Sequence, residues 1–272
     1  MIRLQFIPPV GDAKWDTWVA TAEAERQALL SSPPDARAIK GKLYKGGRDF
    51  LLLATHKKCA YCETFLPPGE RKGDVEHYRP KGRVRDRHGT IVTVMMAGVQ
   101  VQHPGYFWLA YDYHNLLPVC GACNRRARDE REGRVTGKGD FFPTLDDWYA
   151  SDPHGVAQEK PALLNPWLPE DDPEEHLVFD PATGFVAGLT PRGKETEHVL
   201  GLNREGLVKE RFDTCRNVEN TITIAFWNRL QGGSDETYEA ALAAVVDGSG
   251  EYAAFRRAQH QATMAFLKTL IK

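Results

Sequence analysis

Four of the five cysteines stand in two C-x-x-C pairs, "CAYC" and "CGAC", and thiolates at that spacing are typical zinc ligands. A two-residue spacer lets one tight turn aim two sulfurs at one ion, and zinc completes a tetrahedron with four such ligands. The pairs are Cys59 with Cys62 and Cys120 with Cys123, so the fold must bring two distant turns together. The alternative redox role needs a thioredoxin-like βαβ context, which the sequence does not show. We therefore predict one closed four-cysteine zinc site, whose role is structural because it leaves no position for a substrate.

A second candidate for chemistry is the adjacent pair Glu76 and His77, in "GDVEHYRPKG" between the two cysteine pairs. A carboxylate is a hard oxygen ligand suited to Mg²⁺ or Mn²⁺, and a neutral imidazole is a good general base near neutral pH. Neighbouring residues on a strand point to opposite faces, so both side chains reach one site only where the backbone twists or turns. Taken alone, such a short pair is more typical of a solvated loop.

The order of the motifs changes that interpretation. C-x-x-C, then E-H, then "HNLLPVC", then "CGACN" resembles the zinc-stapled form of the HNH endonucleases, also called ββα-metal nucleases. The sequences "CAYCE", "VEHYRPKG" and "FWLAYDYHNLLPVCGACNRR" are similar to those of the PtuB-like HNH nucleases of Septu-type and retron-associated anti-phage systems. The resemblance covers residues 56–143 and continues more weakly beyond them. The stretch between the E-H pair and "HNLLPVC" is long for a hairpin loop, so we expect an insertion there.

The resemblance to HNH nucleases implies a role for each residue that matches the motif. His77 activates the attacking water, Glu76 and Asn124 hold one Mg²⁺ or Mn²⁺ ion, and Asn115 fixes the loop and the orientation of His77. A helix that begins near Asn124 would point its N–H groups toward the phosphate. The implied activity is hydrolysis of DNA phosphodiester bonds by a defence effector, together with a partner ATPase of the ABC/SMC-like kind.

The distribution of charge fits a polyanionic substrate. Residues 1–143 carry 23 Lys and Arg against 16 Asp and Glu, whereas the remainder carries 12 against 21. A basic half that holds the cysteine cluster is what binding to nucleic acid needs, although charge also fluctuates along chains without any function. The candidates for contacts with the DNA backbone are Arg79, Lys81, Arg83, Arg125 and Arg126, and a solvated surface charge is the alternative for each of them.

The elements that must position these residues can be predicted from periodicity and turn signals. We expect an α+β fold in which a zinc-stapled ββα-metal core is embedded in a mostly helical protein. Helices are predicted over 14–30, with "SSPPDA" ending the first, over 46–58, over 124–132, over 203–230, over 235–246 and over 252–271. Strand pairs are predicted over 90–102 and over 176–189, the second turning at Ala182, Thr183 and Gly184.

Three segments follow from this pattern: an N-terminal helical segment over 1–55, the nuclease core with its zinc site over 56–143, and a mostly helical region with a β-hairpin over 144–272. The composition, 42% hydrophobic and 26% charged, is that of a soluble globular protein. We find no apolar run that could span a bilayer, and the first residues lack the features of a secretory signal, so we expect a cytoplasmic protein. Two alternatives to a DNA nuclease stay open: a non-catalytic zinc-stabilised nucleic-acid-binding or scaffold protein, and an RNase toxin.

Overall fold

The computed structural model describes residues 1–32, 38–68 and 73–270, and it combines helices with small antiparallel sheets. This architecture confirms the predicted α+β class. In chain order, the helices of the described residues are α1 (Ala13–Ser31), α2 (Gly41–Gly46), α3 (Arg48–Ala54), α4 (Gly121–Asn124), α5 (Pro173–His176), α6 (Pro191–Leu200), α7 (Glu205–Leu230), α8 (Asp235–Val246) and α9 (Ala253–Leu270).

The strands form antiparallel pairs. They are β1 (Asp74–His77), β2 (Thr93–Met96), β3 (Val99–Gln102), β4 (Leu116–Val119), β5 (Ala127–Asp129), β6 (Arg134–Thr136), β7 (Leu177–Asp180) and β8 (Phe185–Gly188). Strand β1 pairs with β4, β2 with β3, β5 with β6, and β7 with β8. Only the first of these pairs is discontinuous in sequence, since residues 78–115 separate β1 from β4 and contain the β2–β3 hairpin. The long connection is therefore structured, and the insertion itself stays a prediction.

Helix α1 shows how local sequence produces an element. The Asp12 side chain caps its N-terminus by accepting hydrogen bonds from the backbone N–H groups of Lys14 and Trp15. Trp15 and Trp18 then fall on one face, one turn apart, and both are buried in the core. The helix ends at Ser31, as predicted, while residues 33–36 of the predicted terminating segment lie outside the described residues.

Two hydrophobic clusters hold the described residues together. The larger one draws on all three predicted segments, from Leu51 and Trp108 to Leu200 and Phe255. The smaller cluster is formed where α7, α8 and α9 pack, around Ile222. Burial of these apolar side chains is the main driving force for the assembly. The predicted segment boundaries themselves stay a prediction.

Most of the predicted elements are confirmed. The strand pair over 90–102 is the β2–β3 hairpin, and the pair over 176–189 is the β7–β8 hairpin. The three C-terminal helices are α7, α8 and α9. Each combines strong periodicity with a local start or stop signal, which is the situation in which sequence patterns are most informative.

The helix predicted over 124–132 is wrong. Helix α4 ends at Asn124, and the chain continues as the β5–β6 hairpin. The carbonyl oxygens of Cys123 and Asn124 accept hydrogen bonds from the N–H groups of Lys138 and Gly139, at 2.8 and 2.6 Å, and not from the next turn of a helix. Gly137 makes this return possible, because a Cβ there would lie 2.2 Å from the Arg125 carbonyl oxygen. Long-range hydrogen bonds thus override the local helix propensity.

Candidate functional site

The four paired cysteines come together as the sequence predicts. Their Sγ atoms all lie within 4.8 Å of one another, and those of Cys62 and Cys120 are 3.6 Å apart. A tetrahedron with zinc–sulfur bonds of about 2.3 Å places its sulfurs about 3.8 Å apart. All four are free thiols, and three of them are buried. The cluster fits a four-thiolate site and could hold a zinc ion.

The fold explains how two distant cysteine pairs meet. The Ala60 N–H, between the first two cysteines, donates to the Pro118 carbonyl oxygen of β4 at 2.9 Å, which fixes the first turn against the strand that leads to Cys120. Arg204, at the junction of α6 and α7, closes the other side. Its guanidinium donates to the sulfurs of Cys123 and Cys120, at 3.6 and 3.8 Å. A cation at this position offsets the negative charge of four thiolates around one divalent ion.

Strand β1 carries the acidic and imidazole side chains. Its register with β4 sets Glu76 opposite Leu117 and His77 opposite Leu116, where both strands are buried. The strand ends at His77 and the backbone bends at once. This bend meets the condition under which neighbouring residues on a strand can serve one site, and Glu76 and His77 both line the same cleft.

The cleft is a polar cavity of about 490 Å³. It brings together three of the four predicted catalytic side chains, Glu76, His77 and Asn124, with Lys81 on one wall and Asp140 on another. Asn115 does not line this cleft. Convergent polar groups in a cavity of this size are typical of a binding or catalytic site.

His77 is held as a neutral imidazole with a defined tautomer. Its Nε2 lies 3.0 Å from the Ala110 carbonyl oxygen, which can only accept, so Nε2 carries the proton and Nδ1 is the basic nitrogen. The Nδ1 atom lies 3.5 Å from the Lys81 ammonium, and the Tyr44 ring packs edge-on against the imidazole. Burial and the nearby Lys81 ammonium lower the pKa of His77 to about 3. The ring is therefore uncharged at neutral pH, and Nδ1 is the ring nitrogen that carries no proton.

Glu76 is paired with a lysine that sequence reasoning missed. The fully buried Lys138 ammonium donates to Glu76 Oε1 and to the His77 carbonyl oxygen, each at 2.8 Å. Burial raises the pKa of the Glu76 carboxyl, and the ammonium groups of Lys138 and Lys81 oppose that shift. No local pattern could have revealed this pair, because Lys138 stands between two glycines in a predicted loop and reaches the strand only through the fold.

Asn124 lies at the end of α4, not at the beginning of a helix, so the predicted helix N-terminus facing the phosphate is absent from this part of the described structure. Its Nδ2 donates to Asp74 Oδ2 at 2.9 Å, and that contact leaves the amide oxygen available as an acceptor or metal ligand. Arg125 binds the same carboxylate at 3.0 and 3.1 Å. Burial pushes the pKa of Asp74 upward, but the hydrogen bonds from Arg125 and Asn124 outweigh it and lower the pKa.

The oxygen donors suit a hard divalent cation. One oxygen of Glu76 is bound to Lys138, and the carboxylate still lines the cleft with the amide of Asn124. Carboxylate and amide oxygens are ligands that Mg²⁺ and Mn²⁺ accept. The residues therefore fit such an ion, with the buried ammonium of Lys138 as a competing charge.

Asn115 ties the backbone around the site together. Its Oδ1 accepts from the Arg79 N–H at 2.7 Å, and its Nδ2 donates to the carbonyl oxygens of Arg79 and Leu109, at 3.1 and 3.2 Å. Leu109 adjoins Ala110, the residue that orients His77. Asn115 therefore connects the segment that follows β1 with the segment that fixes the imidazole.

The predicted phosphate-binding side chains differ in their placement. Arg79 is 13% exposed and pairs with the buried Glu159 at 2.7 Å, among aromatic rings, and this placement argues against a contact with nucleic acid. Lys81 and Arg83 line the cleft, and Arg83 pairs with Asp140 while remaining about half exposed. Arg125 is 73% exposed beside Asp74. Arg126 is also exposed, with its guanidinium 3.7 Å from the centre of the Phe141 ring.

Fold and site together define an α+β protein in which a four-cysteine cluster suited to zinc lies directly beside a polar cleft lined by carboxylate, imidazole and amide groups. The chain is similar to the Septu protein PtuB of Bacillus mycoides (strain KBAB4), with 32% identity over 166 residues. That match covers 60% of this chain and 48% of PtuB, so the chain spans about half the length of this curated relative. The predicted likeness to PtuB is therefore confirmed.

No protein-family model and no solved structure matches the chain. The HNH class and the roles of individual residues stay predictions. Among the described residues, none of the helices combines the length and the apolar character that crossing a membrane requires.

Proposed function

We propose that the protein is a metal-dependent HNH-type endonuclease that hydrolyses DNA phosphodiester bonds in anti-phage defence. The observation that carries the proposal is the convergence of Glu76, His77 and Asn124 in one polar cleft, with the basic Nδ1 of a neutral His77 among them. These are the residue types that the resemblance to HNH nucleases assigns to the site. In this proposal the neighbouring zinc cluster is structural.

Each part of the cleft has a task in hydrolysis. His77 takes a proton from the attacking water through Nδ1, while its Nε2–H stays bound to the Ala110 carbonyl oxygen. A positioned general base contributes roughly 10²–10⁴-fold to the rate. Glu76 and Asn124 hold the divalent cation, which supplies charge stabilisation at the scissile phosphate when it is bound. The Lys81 ammonium, next to Nδ1, attracts the anionic substrate into the cleft.

The likeness to PtuB supports the assignment to defence, since Septu is the system named for that relative. By the same likeness, we propose a partner ATPase of the ABC/SMC-like kind that controls when cutting is allowed, and a cytoplasmic location. The acidic, helical region after residue 143 offers a docking surface of opposite character to the basic half that holds the cleft.

The experiment compares two buried histidines that share one geometry. The Nε2 of His103 lies 3.0 Å from the Ala150 carbonyl oxygen, just as the Nε2 of His77 lies 3.0 Å from that of Ala110, but His103 lies outside the cleft. Purified, zinc-loaded wild type, His77→Gln and His103→Gln are incubated with plasmid DNA and with RNA, in Mg²⁺, in Mn²⁺ or without either ion. We expect cation-dependent DNA cutting that falls at least about 100-fold in His77→Gln and persists in His103→Gln.

Other results would favour the alternatives. Equal cutting by His77→Gln and wild type would exclude His77 as the base. Cutting of RNA with intact DNA would favour the RNase. Cation-independent binding of DNA without cutting by the wild type would favour the non-catalytic binding protein.

A further inference from the structure

The β2–β3 hairpin, residues 93–102, forms a two-stranded ribbon whose two faces differ. Its strands turn through Ala97 and Gly98, both with positive φ (50° and 80°), which gives the tight two-residue turn that suits the twist of a hairpin. One face, which includes Val94, rests on the hydrophobic core. The other face is exposed and presents four side chains: Thr93, Met95, Gln100 and Gln102.

The composition of the exposed face is unusual for a solvated surface. Residues 89–102 contain no charged side chain at all, although they form a hairpin with one face open to solvent. An exposed strand pair is normally protected against unwanted pairing by charged residues. The open face of this ribbon instead offers amides, a hydroxyl and a 61% exposed thioether, with Gln100 Nε2 donating to Thr93 Oγ1 at 2.8 Å.

The ribbon is joined directly to the basic wall of the cleft. The Val92 N–H, at its base, donates to the Val84 carbonyl oxygen at 3.0 Å. Val84 lies between Arg83, which lines the cleft, and Arg85. The side chains of Arg83 and Arg87 remain 51% and 35% exposed. A neutral ribbon is thus flanked by two partly exposed arginines, each paired with an aspartate, and it adjoins the segment that lines the cleft.

We infer that the exposed face of this ribbon enters the major groove of double-stranded DNA and reads base edges, an inference that rests on the proposed DNA substrate of the cleft. The major groove, about 12 Å wide, admits a two-stranded ribbon. Glutamine pairs with adenine through two hydrogen bonds, threonine bonds to several bases, and an apolar group contacts the thymine methyl. The flanking arginines contact phosphates, which position the protein without reading sequence.

The test measures binding, so that it does not depend on cutting. Wild type, Gln100→Ala/Gln102→Ala and the control Gln231→Ala, an exposed glutamine after α7, each select duplexes from a randomised pool as zinc-loaded protein in buffer without added Mg²⁺ or Mn²⁺. We expect the wild type and the control to enrich the same short base pattern. The double variant should lose the preference at the contacted positions by about 5- to 160-fold each, with an unchanged dependence of affinity on salt.

Three results would overturn the inference: a wild type that binds duplex DNA without base preference, a double variant that selects the same pattern, and a wild type that binds no duplex at all. Failure of the nuclease proposal looks different. A selected pattern without cutting in any cation would reject the nuclease and keep the ribbon as a reader of DNA. Cutting without a selected pattern would keep the nuclease and reject the ribbon as a reader of DNA.

Discussion

Replacing Lys138 with methionine tests the electrostatics of the cleft most directly. Methionine keeps the apolar stem and removes the buried ammonium that binds Glu76 Oε1 and the His77 carbonyl oxygen. At 2.8 Å the attraction between the two charges is about 6 kcal/mol for an effective dielectric constant of about 20. Removing one partner of a buried pair leaves the other charge uncompensated and typically costs about 3–5 kcal/mol.

The loss should depend on pH, because Glu76 can escape its isolation by taking up a proton. The pKa of Glu76 is already raised from 4.5 by burial, so the folded state holds this proton more tightly than the unfolded chain. Its contribution to stability therefore falls as the pH rises above 4.5, and in the variant the fall continues to higher pH. Protonation limits the electrostatic loss to about 1.4 kcal/mol at about pH 5.5 and to about 4 kcal/mol at about pH 7.5.

The assay is denaturant unfolding of zinc-loaded wild type and Lys138→Met at both pH values, with Lys160→Met as a control. Lys160 also pairs with a carboxylate, that of Asp146 at 3.0 Å, but on the exposed surface, where removal should change little at either pH. Double variants with Glu76→Gln should show the destabilisation shrinking once no carboxylate is left to isolate. A loss that is equal at both pH values, or unaffected by Glu76→Gln, would refute the reasoning and reduce Lys138 to a packing residue.

Three further predictions follow from other contacts. Cys62→Ser should release zinc and lower the yield of folded protein, measured by metal analysis after gel filtration, whereas full folding without zinc would contradict the structural role. His77, with its pKa lowered from 6.5 to about 3, stabilises the fold above pH 6.5 and loses this contribution as the pH falls toward 3, so stability should fall less steeply with acid in His77→Gln. Arg79→Ala should destabilise the fold in denaturant unfolding, by at most about 3–5 kcal/mol, because the buried Glu159 loses its charged partner but keeps its hydrogen bonds from Tyr106 and Ala150. Arg125→Ala should reduce the salt dependence of DNA binding by about one unit of slope without unfolding.

The features predicted correctly are those whose cause is local. The spacing of Cys59 and Cys62 is a property of a single turn, and the cysteine side chain itself determines the type of ligand. Alternating β-prone residues around a turn predict the two hairpins, and a long periodic pattern predicts α7. In each case the residues that form the element also decide its type, so no distant contact was needed.

The features that were missed depend on distant contacts. The segment after Asn124 has helix-forming residues, yet two backbone hydrogen bonds from Lys138 and Gly139 direct it into a hairpin. Arg79 resembles any other arginine of a basic stretch, and only the fold places it against Glu159. Side chains of the same type thus lie in the core, in the wall of the cleft or on the surface. Their location depends on contacts between residues tens of positions apart, and periodicity and spacing do not reveal such contacts.

The same contacts connect the zinc cluster with the cleft. The turn that holds Cys120 and Cys123 carries Asn124, and its Cys123 and Asn124 carbonyl oxygens bind the N–H groups of Lys138 and Gly139. Lys138 in turn holds Glu76 and the carbonyl oxygen of His77. Disorder of the cysteine turn would therefore disturb the cleft in two ways. It would displace the side chain of Asn124, and it would displace the buried ammonium of Lys138. A metal bound by these thiols can therefore act without touching a substrate. By holding this one turn rigid, it fixes the positions of the acidic, basic and amide groups of the cleft.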